Sequence, residues 1–257
     1  MGEPLQESAP QTEQELRIQL AACYRIFDYL GWSEMIFNHI TMKVPSDQVP
    51  GDEEHFLINP YGLHYSEVTA SNLVKVDIEG NIVEPTDYAV NPAGIIIHTA
   101  IHGARQDVKC ITHVHTDAGM AVACSEEGLR TDNFYSALLQ NRIAYHDFEG
   151  ITVMDDEKPR LIANMGEKNM LILRNHGLLT CGRTIPEAFM NMWALQRSCE
   201  VQVACDATGK PLIPVSDEVL AKTEQLMTMQ SMGQPAGELE FKAMTRIIEK
   251  LDPSYKD

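Results

Sequence analysis

The chain has 257 residues, enough for one large domain or two small ones, and its 44% apolar and 22% charged residues allow a sizeable buried core. A formal charge of -17, from 20 basic against 37 acidic residues, leaves little basic surface to displace the counterions of a nucleic acid. No apolar run approaches the roughly 18 residues of a membrane helix, and the polar, acidic stretch from Met1 to Gln14 has no signal-like apolar segment, so the expected compartment is the cytoplasm.

Residues 1–11, rich in Glu, Gln, Ser and Pro, read as a disordered tail ahead of a single domain over residues 12–257. Thr12-Glu13-Gln14-Glu15 has the form of a capping box, and Leu16, Leu20, Tyr24, Phe27 and Leu30 follow at helical spacing up to a stop at Gly31. Short strands are predicted over residues 39–44, 55–58 and 73–78, with the turn Glu79-Gly80-Asn81 leading into Ile82 and Val83. Asn91-Pro92 opens a helix to about Gly103, with proline at its first position. Residues 108–115 are rich in β-branched side chains and read as a strand, with a helix over 117–125 behind it. Two strands, 170–174 and 178–180, flank the turn Asn175-His176-Gly177. Thr184-Ile185-Pro186-Glu187, a second capping box, starts a long helix to about Ala207, with Gly209 past its end. From about residue 216 one or two peripheral helices follow, broken over 233–237. The alternation predicts an α/β sandwich around a mixed sheet.

The sharpest local chemistry is Thr112-His113-Val114-His115. On a strand, residues two apart face the same way, so both imidazoles project together about 6 to 7 Å apart at their roots. Their nitrogens can then converge on one ion at about 2.0–2.1 Å. A third histidine, His176, sits at the tight turn between two apolar runs, where an unusual backbone angle also suits the residue. Three imidazoles with an open position would make a catalytic metal site, with Zn²⁺ favoured and Mn²⁺, Fe²⁺ or Co²⁺ compatible. The six cysteines contain no CxxC pair and read as reduced, packed thiols rather than a disulfide framework.

Four segments, in order, resemble the class II aldolase/adducin family: FNHITMKVP (37–45), INPYGLHYSEVT (58–69), NPAGIIIHTAIHGARQDVKCITHVHTDAGMAVA (91–123) and LRNHGLLTCG (173–182). The resemblance spans about residues 12 to 210. It implies a three-layer αβα sandwich with a mixed, mostly antiparallel sheet, a homotetramer with sites at subunit boundaries, and His113, His115 and His176 as metal ligands. Asn38, Tyr61, Gly62 and Gly94 fall in the family's substrate region. The sugar-phosphate aldolases of the family carry a Ser-Ser-Glu run that anchors phosphate and supplies the acid/base. Here those positions are Pro92, Ala93 and Gly94, so neither a hydroxyl nor a carboxylate is present.

Val90-Asn91-Pro92-Ala93-Gly94 and Ala144-Tyr145-His146-Asp147-Phe148-Glu149-Gly150 resemble instead the adducin branch, whose animal members are cytoskeletal scaffolds. Tyr135 lies near the position of the aldolases' catalytic tyrosine and could act as a proton donor, or equally as a core aromatic beside Phe134. Asp117 suits a cap on the following helix better than an outer hydrogen bond to a ligand. His98 and His102 read as packing or surface groups, His39 as a weak candidate for substrate contact, and His146 and Glu149 as part of a solvated loop. The expectation is a metal-dependent lyase acting on a small hydroxy- or oxo-carbonyl substrate other than a typical sugar phosphate. A decarboxylase or Fe-dependent oxygenase on the same fold, and a non-catalytic adducin-like interaction module, are the alternatives.

Overall fold

The computed structural model describes residues 12–51, 53–150, 155–230 and 236–257. The expected tail over 1–11 lies outside them, as does most of the expected break over 233–237. Helix α1 (Glu13–Tyr29) begins with the predicted capping box. The Thr12 hydroxyl accepts from the Glu15 amide at 3.2 Å, and the Glu15 carboxylate accepts from the Thr12 amide at 2.8 Å. Strands β1 (His39–Lys43), β2 (His55–Ile58) and β3 (Val74–Asp77) follow. Helix α2 (Pro92–Ala104) is capped by Asn91, whose side chain accepts from the Ala93 amide at 3.1 Å. Next come β4 (Cys110–Val114), α3 (Asp117–Cys124), the single turn α4 (Phe134–Ala137), β5 (Ile143–His146) and α5 (Lys158–Met165). The hairpin β6 (Met170–Leu173) and β7 (Gly177–Gly182) leads to α6 (Ile185–Ala207), α7 (Asp217–Gln230) and α8 (Glu238–Leu251).

The strands form one sheet in the order β3-β2-β1-β4-β7-β6-β5, antiparallel throughout except for the parallel pair β5 and β6. Side-chain alternation divides the core between its two faces. Met170 and Ile172 pack with α1, α3, α6 and α8 on one side, while Leu171 and Leu173 pack with α2 and α5 on the other. A third cluster joins Ile95 of α2 to Phe56, Ile58, Val74 and Val76. The fold is therefore α/β with three layers, as the sequence predicts. No helix among the described residues is long and apolar enough to cross a membrane.

Several local expectations need correction. Thr184 caps α6 through the Glu187 amide, but the Glu187 carboxylate turns to the Arg183 amide and guanidinium, so the reciprocal half of a capping box is missing. Helix α3 is capped by Thr116, with Asp117 inside the first turn. Strand β5 ends on His146, which was expected in a solvated loop, and helix α5 was not predicted. Each buries only a few apolar side chains, Ala144 in one and Leu161 and Met165 in the other, which is too little for a periodic signal. Helix α8 lies against α1 and α6 and sinks Phe241 and Ile248 into the main core, leaving the outlying position to α7. Phe241→Ala is therefore expected to cost about 3–5 kcal/mol in urea unfolding. A cost under about 1 kcal/mol would return α8 to the periphery.

Candidate metal centre

Two elements deliver the three histidines. Strand β4 carries His113, and His115 stands just past its end; the β6–β7 turn carries His176. The antiparallel pairing of β4 with β7, with His113 opposite Leu179 and Val114 opposite Leu178, closes the turn over the strand end. Two backbone features make this approach possible. Asn175 adopts a left-handed conformation (φ 57°), which asparagine tolerates better than most residues. Gly177 lies so close to β4 that a Cβ on it would fall 2.4 Å from the Val114 carbonyl oxygen and 2.9 Å from the His115 ring.

The resulting triangle is nearly regular. Ring centroids lie 4.5 Å apart for His113 and His115, and 4.9 Å apart for His176 with each of them. One ligand nitrogen from each ring lies within 4.8 Å of the others, close enough for all three to hold one ion. The Nδ1–H of His113 donates to the Leu178 carbonyl at 2.9 Å, which leaves Nε2 as the free lone pair, 2.7 Å from Nε2 of His115. Burial, reinforced by the neighbouring imidazoles, holds His113 far below the usual histidine range and His176 down at about 4. Burial alone lowers His115. All three rings therefore keep their lone pairs at neutral pH, which is the state a metal requires. The residues present fit a divalent ion.

Behind the triad lies a polar seam that the sequence reading undervalued. The His39 ring rests against His113, with centroids 5.0 Å apart, and its Nδ1 lies 3.0 Å from Nε2 of His98. Thr41 then bridges His98 and His102 at 2.8 and 2.9 Å. All four are buried between β1 and α2. Burial drives His39 and His102 down to about 3 and His98 well below its ordinary value, so the seam is neutral. A signal was available: His39 and Thr41 alternate on β1 while His98 and His102 share a face of α2.

The other expected site residues divide. Gly94 faces the same seam, and a Cβ there would meet the His39 ring at 2.4 Å. Asn38 is buried, donates to the Trp32 carbonyl at 3.0 Å and keeps its Oδ1 without a partner among the described residues. Tyr61 and Gly62 form an exposed turn in which Gly62 has φ 106°. Tyr135 packs on Trp193 of α6, with the Arg197 guanidinium over its ring. Among the described residues no hydrogen bond or ring contact joins Tyr61 or Tyr135 to the triad. His146 is buried rather than solvated, bonded to Asn164 and Glu157.

Comparison with known proteins agrees with this architecture. The model of the class II aldolase and adducin N-terminal domain matches residues 18–203. The chain belongs to this family. Rat alpha-adducin is 44% identical over 252 residues, which cover 93% of this chain and 34% of that protein. The crystal structure of an aldolase II superfamily protein from Pseudomonas syringae is 39% identical, with a TM-score of 0.89 over 98% of both chains. An L-fuculose 1-phosphate aldolase from Glaciozyma antarctica is 29% identical, with a TM-score of 0.81 over 97% of both.

Two outcomes test the site. In Gly177→Ala the added methyl group must push β7 off the Val114 carbonyl, so a loss of about 1–3 kcal/mol in urea unfolding is expected. The second concerns acid. The unfolded histidines take protons near pH 6.5, but the folded chain holds His176 near 4 and His39 and His102 near 3. Between these values the unfolded state binds more protons, so stability is full above about pH 6.5 and falls as the pH drops. The Tm of metal-free protein should fall between about pH 7 and about pH 5; a flat Tm across that range would refute neutral burial.

Proposed function

We propose that the chain is a divalent-metal-dependent lyase acting on a small hydroxy- or oxo-carbonyl substrate, with His113, His115 and His176 as ligands. The observation that carries this reading is the convergence of three neutral imidazoles, one of them fixed in its tautomer by the Leu178 carbonyl. An ion held by these three residues would supply Lewis acidity for the negative charge left by a departing carbon or proton. Zinc is the favoured ion on ligand type. His113 comes from strand β4 and His115 from just past its end, and His176 closes the third side from the hairpin.

The similarity to an L-fuculose 1-phosphate aldolase supports lyase chemistry. Pro92, Ala93 and Gly94 argue against the same kind of substrate, because no hydroxyl or carboxylate stands there and the His39 ring fills the space beside Gly94. Decarboxylation suits such a site, since carbon dioxide departs where an aldehyde otherwise would and no carboxylate base at position 94 is needed. The second reading is an adducin-like interaction module, favoured by the 44% identity to alpha-adducin. Both readings accommodate a cytoplasmic homotetramer, for which light scattering is the direct measurement.

Metal analysis separates them. Protein purified without added metal should carry roughly one divalent ion per chain, and His176→Ala should lose it. A folded, metal-free wild type would sink the enzyme reading. With the ion in place, a screen of hydroxy acids, keto acids and aldehydes identifies the substrate.

A further inference from the structure

The segment Ala144-Tyr145-His146-Asp147-Phe148-Glu149-Gly150 lies beside the triad without being part of it. His146, at the end of β5, is held at both ring nitrogens: Nδ1 lies 2.8 Å from Oδ1 of Asn164, and Nε2 lies 3.1 Å from Oε1 of Glu157. Glu157 is itself buried, at the N-terminus of α5, and its second carboxylate oxygen makes no bond to a described residue. A cavity of about 10 Å³, lined by His176, Glu157, Glu149, His146, Phe148 and Ile97, lies between this pair and the triad. That is the space of about one water molecule.

Three carboxylates line this cavity; Asp147 and Glu149 are exposed, whereas Glu157 is buried. Glu149 is clamped by Arg160, which also pairs with Asp156, on the solvent side. Among the described residues Glu157 pairs with the His146 ring alone.

We infer that Glu157, oriented by His146 and Asn164, is the outer carboxylate of ligand His176, acting on it across the one-water cavity. It is a positioning residue: a carboxylate behind a ligand histidine holds the ring in the direction that the metal needs. The carboxylate missing at Gly94 on α2 is thus partly compensated from α5, the helix packed beside it. This inference rests on the triad being a metal site.

Zinc affinity, measured by competition with a chromophoric chelator, tests it. Glu157→Gln keeps the shape and loses the charge; it should bind zinc roughly tenfold to hundredfold more weakly than wild type, with the Tm of the metal-free protein nearly unchanged. His146→Gln leaves Glu157 in place but unoriented and should weaken binding in the same direction, which keeps the test open if one variant fails to fold. Glu149→Gln at the same cavity should stay within about threefold of wild type, because its charge is spent on exposed Arg160. Equal affinities for wild type, Glu157→Gln and His146→Gln would overturn the inference while leaving the metal site standing. A wild type without zinc affinity would overturn both, and the two failures are told apart by the wild-type measurement alone.

Discussion

The pairing of β4 with β7 sits at the middle of the sheet, and everything chemical in the chain depends on its register. With Val114 opposite Leu178, the His113 ring can donate to the Leu178 carbonyl and His176 swings over His115. A slip of one residue would turn His113 to the opposite face, into the core packed by α6. Three features hold the register. Gly177 admits the Val114 carbonyl, Thr112 and Thr180 share a hydrogen bond of 2.8 Å on the far face, and Thr180 donates to the Ala188 carbonyl at the start of α6. The sheet centre is therefore fixed by polar contacts on one face and used for chemistry on the other.

The seam of His39, His98, Thr41 and His102 adds a second constraint of the same kind. Burying four polar side chains between a helix and a strand is costly unless each finds a partner. Here they partner one another, which ties the azimuth of α2 to β1. The first turn of α2 then falls where Gly94 touches the His39 ring, so the composition of that turn and the seam beneath it are coupled. A side chain at position 94 and an imidazole at position 39 compete for one volume.

Much of this was legible in the sequence, for identifiable reasons. Long periodic helices and the HxH strand carried their signal within a few residues, and the four family motifs located the hairpin that brings His176 home. The segment from Phe134 to Met165 was not legible. It builds α4, β5 and α5 with one or two buried apolar residues each, and their pairing with β6 and α2 is non-local. His146 accordingly looked solvated, since nothing nearby in sequence reveals that Asn164 and Glu157 enclose it. His98 and His102 were read as packing, which is half of the matter; their hydrogen-bonding partner, Thr41, is some sixty residues away.

The closure of the chain on itself has a consequence for its synthesis. Helix α1 is covered by α8, the Arg25 guanidinium pairs with Asp252, and the amides of Ala70 and Ser71 donate to the carbonyls of Tyr255 and Asp257. On the ribosome, α1 emerges some two hundred residues ahead of these partners. At about 5–20 residues per second, α1 waits for ten seconds or longer before α8 can pack against it. Nascent chains of this fold are thus candidates for chaperone protection through most of their elongation, whatever the mature protein goes on to do.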